Sequence, residues 1–512
     1  MVRYVHPRTN VTIARYGSSG MTFTRSRWLF LRLLGVVYLI AFVSLAVQIT
    51  GLVGEHGVLP VREFFAELHA RNGTSAYYIA PSLVWISPSD AWLSSLCWGG
   101  AAASLLLIAG IVPTATAALL WLLYLSVTVA GQLFLEFQWD SLLLETGLLA
   151  VLYAPLVWRE HFHDEREPPV VVRWTIWLLA FKLTFLSGIT KVLSGDPTWA
   201  NWTALSYHYE TQPLPAWTSW YMYQLPSWLH YWSTGGTMLI ELIASWLIFL
   251  PARFWHARLA ACALMILLQV GIGATGNYGF FNILTIVLYL SLLDDQTLAR
   301  LVPRRVTANK QPFERHSARS RMWRVGVNVV AACIAVLSVM TVFREMDRTR
   351  GLRGFFDRGW AGMLLTRVSP FGSVNGYGLF RVMTTQRPEI TVEVSADGTT
   401  WKEQEFKWKP GNVARRPRFV EPHMPRLDWQ MWFAALDPFS AQDWLVRLAE
   451  RVIAGEPAVT RLLGPNPLER RPRYVRFTYY QYHFTSRDER GKTGNWWKRE
   501  FVTYLTNPIG PL

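Results

Sequence analysis

The chain has 512 residues, of which 51% are hydrophobic and 17% charged, with a net charge of +15. Soluble globular domains carry about 25% charged residues, so a wholly soluble chain is excluded. Much of the positive excess sits in arginines beside apolar segments, where topogenic signals and anionic headgroups account for it, and no nucleic-acid reader motif accompanies it.

Residues 1–27 form a basic N-terminal segment with Arg3, Arg8, Arg15, Arg25 and Arg27. Mostly apolar stretches of spanning length follow near 28–49, 92–111, 114–135, 140–157, 171–190, 235–251, 256–275, 277–293 and 325–343. The fold expected over 28–343 is an α-helical polytopic membrane domain of about nine transmembrane helices. Basic and less basic connectors alternate: 50–91 holds Arg62 and Arg71 against four acids, 158–173 holds three arginines, and 191–234 holds only Lys191. The loop 294–324 is strongly basic. The positive-inside rule then makes the N-terminus and 294–324 cytoplasmic. Connectors 50–91 and 191–234 fall on the opposite side together with the C-terminal domain. Lys182, Glu145, Glu241 and Gln269 are mid-span polar residues and candidates for function, or for pairing with one another.

Residues 344–512 read as an exposed α+β domain with a β-sandwich-like sheet. Strands are expected at 376–385, on both sides of Asp397-Gly398, a hairpin signal, and near 472–484 and 495–505. RLDWQMWFAAL (426–436) spaces Trp429, Trp432 and Phe433 as one helical face. A second helix is expected over 440–454, opening at Ser440.

Connector 191–234 is too rich in Trp and Tyr for a mere linker. His208 and Glu210 would share a strand face, and Asp196 or His230 could complete a metal site, but no ligand repeat supports a metal. Cys97, Cys262 and Cys333 lie in apolar segments without a CxxC pair, which argues against thiol–disulfide chemistry. There is no GxSxG elbow, and no cofactor site can be read.

Several uncommon blocks occur together: SYHYETQPLP (206–215), GYGLFR (376–381), EFKWKPGNVARRPRFVEPHMPRLDWQMWFAAL (405–436), LLGPNPL (462–468) and GNWWKRE (494–500). In these the chain resembles the lipase maturation factor family over nearly its whole length. The resemblance implies a membrane-anchored, non-enzymatic factor that assists folding or assembly of secreted proteins, with a lipase as client. It also implies the endoplasmic reticulum membrane, or the plasma membrane in a bacterial relative. Trp408 and Arg418 stand where animal members have cysteines, so a redox role is not expected here. The client or interdomain surface would comprise Tyr207, His208, Glu210, Gln212, Arg426, Asp428, Trp429 and Trp432. Membrane lipids are the other expected partner, and nucleic acid is not one. A shorter block, Ser187-Gly188-Ile189-Thr190-Lys191, resembles the membrane domain of the vitamin K-dependent carboxylase superfamily. That second resemblance implies the alternative of a quinone-coupled enzyme with Lys191 as base.

Overall fold

The computed structural model describes residues 21–162, 166–301, 318–352 and 354–510. Most of the basic segment 1–27 and the centre of the basic loop 294–324 lie outside the described residues. The membrane part runs through α1 (Thr24–Ala46), α2 (Asp90–Ala109), α3 (Pro113–Ala130), α4 (Gln138–Tyr153), α5 (Val170–Leu193), α6 (Ala204–Thr211), α7 (Ser227–Leu242), α8 (Trp255–Thr275), α9 (Phe281–Leu290) and α10 (Ala318–Thr349). Local chemistry sets the boundaries. Ser89 caps α2 by accepting from the Trp92 N–H at 3.3 Å, Gly110 ends that helix at φ 73°, and Pro113 opens α3.

Among the described residues, seven helical stretches are long and apolar enough to cross a membrane: Thr24–Ala46, Asp90–Ala109, Pro113–Ala130, Val170–Leu193, Ser227–Phe249, Ala252–Thr275 and Met322–Thr349. The chain is thus a multi-pass membrane protein, but two of the nine expected spans fall short. α4 has 16 residues and α9 has 10, about 24 and 15 Å against a hydrocarbon core of about 30 Å. The apolar runs do not continue as helix because Ala154-Pro155 breaks the first, while the second starts only after Gly279, at φ 63°.

Buried polar contacts tie each end of the bundle together. At the Arg27 end, Glu160 receives Arg27 at 3.0 Å and Arg32 at 2.5 Å. There Asp295 also accepts from the backbone N–H groups of Thr24 and Arg25 at 3.0 and 2.9 Å, satisfying free donors at the start of α1. At the other end, the Gln48 amide donates to Met424 O at 2.9 Å and its oxygen accepts from the Arg426 N–H at 2.9 Å.

The C-terminal domain docks on this Gln48 end. It contains β1 (Arg387–Ser395), β2 (Lys402–Gln404), α11 (Arg426–Leu436), α12 (Pro438–Ala454), β3 (Tyr474–Phe484) and β4 (Trp497–Tyr504), with the strands in antiparallel order β2-β1-β3-β4. The hairpin at Asp397-Gly398 and the helix 426–436 form as the sequence predicts. Three expectations are corrected. There is one sheet rather than a sandwich-like pair. Its Ile390, Val392, Val394, Val475 and Phe477 join one core with Met431, Ala435, Leu445 and Leu448 of α11 and α12. The helices therefore fill the place of a second sheet. The second helix is capped by Asp437, which accepts from the Ser440 N–H at 3.2 Å, not by Ser440. Finally, 376–385 is no strand, because its polar backbone is satisfied by the membrane domain instead.

Candidate functional site

The junction between the two domains collects nearly every residue that the sequence singles out. α6 carries Tyr207, His208 and Glu210, and of these only Tyr207 is substantially exposed, at 38%. Glu210 accepts from the Phe484 N–H at 3.0 Å and contacts His483 Nδ1 at 3.1 Å. Arg387, on β1, donates to the carbonyls of Glu210 and Pro213 at 2.7 and 2.9 Å. Gln212 accepts from the Tyr278 hydroxyl at 2.8 Å and donates to Thr275 O at 2.9 Å. His208 lies 3.3 Å from the same hydroxyl. Burial, reinforced by the Lys191 ammonium, lowers the His208 pKa to about 4, so the ring is neutral at pH 7.

α11 faces this loop from the C-terminal domain. Trp429 donates to Asn277 O at 3.1 Å and Trp432 to Thr211 O at 3.0 Å. Both indoles are thereby buried with their one polar atom satisfied. Arg426 reaches Asp140 on α4 at 2.5 and 2.8 Å. It does not pair with Asp428, which instead accepts from the Trp408 and Lys409 N–H groups at 2.8 and 2.9 Å. Burial raises the pKa of Asp428 while those two N–H donors pull it down.

Asp196 and His230, the other candidate ligands, have separate tasks. Asp196 accepts from the Met383 N–H at 2.6 Å, and His230 Nδ1 lies 3.0 Å from Leu205 O. No cluster of three His, Cys, Asp or Glu residues able to hold a metal occurs among the described residues.

Two features escape sequence reasoning. The first is the segment 374–383, which latches the C-terminal domain onto the bundle. Tyr377 donates to Glu145 at 2.8 Å, the Asn375 N–H lies 3.2 Å from the same carboxylate, and Trp199 donates to Phe380 O at 3.0 Å. A clue lay in its glycines: a Cβ on Gly376 would stand 2.1 Å from Glu345 Cγ. The second is Asn277, in the turn before α9, which accepts from the Val420 N–H at 2.7 Å and donates to Arg418 O at 2.8 Å.

The mid-span charges are paired. Lys182 meets Glu145 at 2.5 Å, and Lys191 meets both oxygens of Glu241 at 2.8 and 2.7 Å. Gly188 explains part of the Ser-Gly-x-x-Lys block, since a Cβ there would stand 2.8 Å from Glu241 Cβ. The missing side chain lets α5 and α7 approach closely enough for the second pair.

At the junction an open cleft of about 430 Å³ is lined by Phe137, Trp139, Trp429, Trp432, Phe433, Leu436 and the latch residues Gly378–Val382. Beyond its buried tryptophans, Phe433 is 41% exposed and Phe439, at the start of α12, is 87% exposed. The fold and this junction define a multi-pass membrane protein whose C-terminal domain is interlocked with one end of its helical bundle.

Residues 25–300 match the family model described as the lipase maturation factor transmembrane domain, and residues 373–507 match the lipase maturation factor C-terminal domain. The chain belongs to the lipase maturation factor family. It is 35% identical to lipase maturation factor 2 of Xenopus laevis and of Homo sapiens, in each case over 93% of this chain and 81% of the relative. It is 32% identical to lipase maturation factor 1 of Bos taurus over 93% of this chain and 88% of that relative. No solved structure matches the chain. These relatives lend no support to the carboxylase-type alternative for Lys191.

Proposed function

We propose that this protein assists the maturation of a secreted lipase, holding the immature client by apolar contact and without catalysing a reaction on it. The observation that carries this reading is the cleft built jointly by both domains, with Phe433, Leu436 and Phe439 exposed along and beyond its rim. Contiguous exposed apolar surface is characteristic of an interaction site. The buried residues Trp429, Trp432, Gln212 and Glu210 then serve as the interdomain frame that holds this rim in place. Tyr207, on α6, is left exposed to solvent.

In this reading the chain crosses the membrane nine times, with α4 and α9 completing their crossings through the non-helical residues after them. Supporting this, α4 begins beside Arg426 while the chain beyond it reaches Glu160 at the Arg27 end. Likewise α9 begins beside Asn277, and the chain beyond it reaches Asp295 at that same end. The Arg27 end faces the cytoplasm. The 50–91 and 191–234 connectors and the 344–512 domain face the endoplasmic reticulum lumen, or the outside of a bacterial plasma membrane.

A photoreactive amino acid placed at Phe433 or Phe439 in cells making a secreted lipase tests the proposal. Capture of newly made, inactive lipase is expected. Capture of lipids alone, or equal capture of mature active lipase, would refute it.

A further inference from the structure

A second cavity, of about 560 Å³, lies between α5, α7, α8 and α9 and reaches the junction, where His208 and Tyr209 of α6 and Leu379, Phe380 and Met383 of the latch also line it. Its walls are mostly apolar, with Leu183, Leu268, Ile272 and Phe281 among them. At its side Leu267 and Gly271 of α8 are exposed, and the neighbouring outer faces of both flanking helices present Leu239, Ile243, Leu264 and Val270. In a membrane those residues meet acyl chains, so the mouth between α7 and α8 opens toward lipid rather than water.

Polar side chains, among them Ser187, His208, Thr237 and Tyr278, interrupt the wall, and one buried polar atom lacks a partner. Lys191 and Glu241 neutralise each other, and Thr184 and Tyr289 share a hydrogen bond of 2.7 Å. Gln269 lies on the wall, is more than nine-tenths buried, and uses its amide toward Tyr289. Its Oε1 has no hydrogen-bond partner. A buried acceptor left without a donor is destabilising, and a ligand carrying a donor removes that cost.

Size and charge narrow the ligand further. At about 560 Å³ the cavity falls within the range of single small-ligand sites, which suits one acyl chain with a small head. A carboxylate head carries no donor for Gln269 Oε1, and the Lys191 ammonium on the same wall is already neutralised by Glu241. A hydroxyl head supplies that donor. We infer that the cavity binds a single-chain membrane lipid with a hydroxyl head, of the monoacylglycerol class, which enters sideways between α7 and α8 and hydrogen-bonds to Gln269.

The test uses the full-length chain in lipid nanodiscs and a monoacylglycerol probe with a diazirine in its acyl chain and a terminal alkyne. The matching free fatty acid probe serves as the control. Crosslinks are expected on peptides of α7 and α8, with at least fivefold loss in the presence of excess unlabelled monoacylglycerol. Gly236 and Gly271 both line the cavity, and a Cβ on either meets nothing within 4 Å, so G236W and G271W can plug it from two sides. Each is expected to reduce labelling at least fivefold with unchanged thermal unfolding, and Gln269→Leu at least threefold. Should one plug variant misfold, the other and the competition arm still decide. Labelling that unlabelled monoacylglycerol does not displace overturns the inference, as does labelling that persists in a folded plug variant. Stronger labelling by the fatty acid overturns it too.

Discussion

Arg426 of the C-terminal domain and Asp140 of the membrane domain form a two-pronged ion pair at 2.5 and 2.8 Å with neither side chain exposed by more than 1%. Tyr124 donates to the same carboxylate at 2.6 Å, and Arg426 also donates to Phe134 O at 3.2 Å. Removing one member strands a buried charge, which costs about 3–5 kcal/mol, whereas replacing both with apolar residues costs far less. Arg426→Met and Asp140→Leu are each expected to lower stability by about that amount, and the double variant by less than either alone. Unfolding in detergent, analysed as a double-mutant cycle, checks this; additive losses would show that the pair does not couple the domains.

The Lys191–Glu241 pair yields a similar contrast with a functional readout. If its role is to join α5 and α7, Lys191→Met alone should destabilise the protein and depress lipase maturation severalfold. Lys191→Met combined with Glu241→Leu should recover both, because no buried charge is left unpaired. Lipase activity per lipase molecule secreted is the measurement. Full stability without any recovered maturation in the double variant would give the amine itself a direct role.

Glu421 makes the junction sensitive to pH. Burial raises its pKa from 4.5 to about 7, against the opposing pull of the Tyr278 N–H. Between those values the folded chain keeps the proton while the unfolded chain has lost it, so the stability contribution of Glu421 falls as pH rises from 4.5 to 7 and is level above. His423 works in the opposite sense: burial lowers its pKa from 6.5 to about 4, so its contribution rises with pH between 4 and 6.5. Comparing wild type with Glu421→Gln isolates the first effect. The variant should gain on wild type progressively through pH 4.5–7, levelling at about 2 kcal/mol after allowance for partial solvent screening. Parallel stability curves across that range would contradict the assignment.

The exposed rim gives a test that leaves the hydrogen bonds of the junction untouched. Phe433→Asp and Phe439→Asp remove apolar surface without breaking any hydrogen bond between side chains. Thermal unfolding should shift little for Phe439→Asp, since surface substitutions fall within about 0.5 kcal/mol, and more for Phe433→Asp, whose half-exposed ring packs on Phe137 and Trp432. Secreted lipase activity should fall severalfold at constant lipase synthesis, most in the double variant. Unchanged activity would place client contact elsewhere.

The elements legible in the sequence were those whose reason is local. Helix 426–436 declares itself by the spacing of Trp429, Trp432 and Phe433, and the hairpin by Asp397-Gly398, where Asp397 accepts from the Thr399 and Thr400 N–H groups at 2.8 and 2.7 Å. What the sequence hid depends on remote partners. The strand-like run 376–385 becomes a latch because Glu145, Trp199 and Asp196 await its backbone and side chains. An apolar run such as 277–293 likewise conceals how much of it is helix, since Gly279 delays the start. The site residues were recognisable as unusual, but their burial was not, because only the docked domain covers them.

The ion pair across the junction also sets an order of events during synthesis. Asp140 is separated from Arg426 by 286 positions, so at about 5–20 residues per second the carboxylate waits roughly 15–60 s for its partner to be made. Glu210 waits in the same way for β3, whereas Glu145 gains Lys182 as soon as α5 is made and waits only for the latch Tyr377. Through that interval the nascent bundle carries uncompensated acids, and it reaches its final form only after the last strands have been translated. A chain halted early would retain this unfinished chemistry as a mark distinguishing it from a completed molecule.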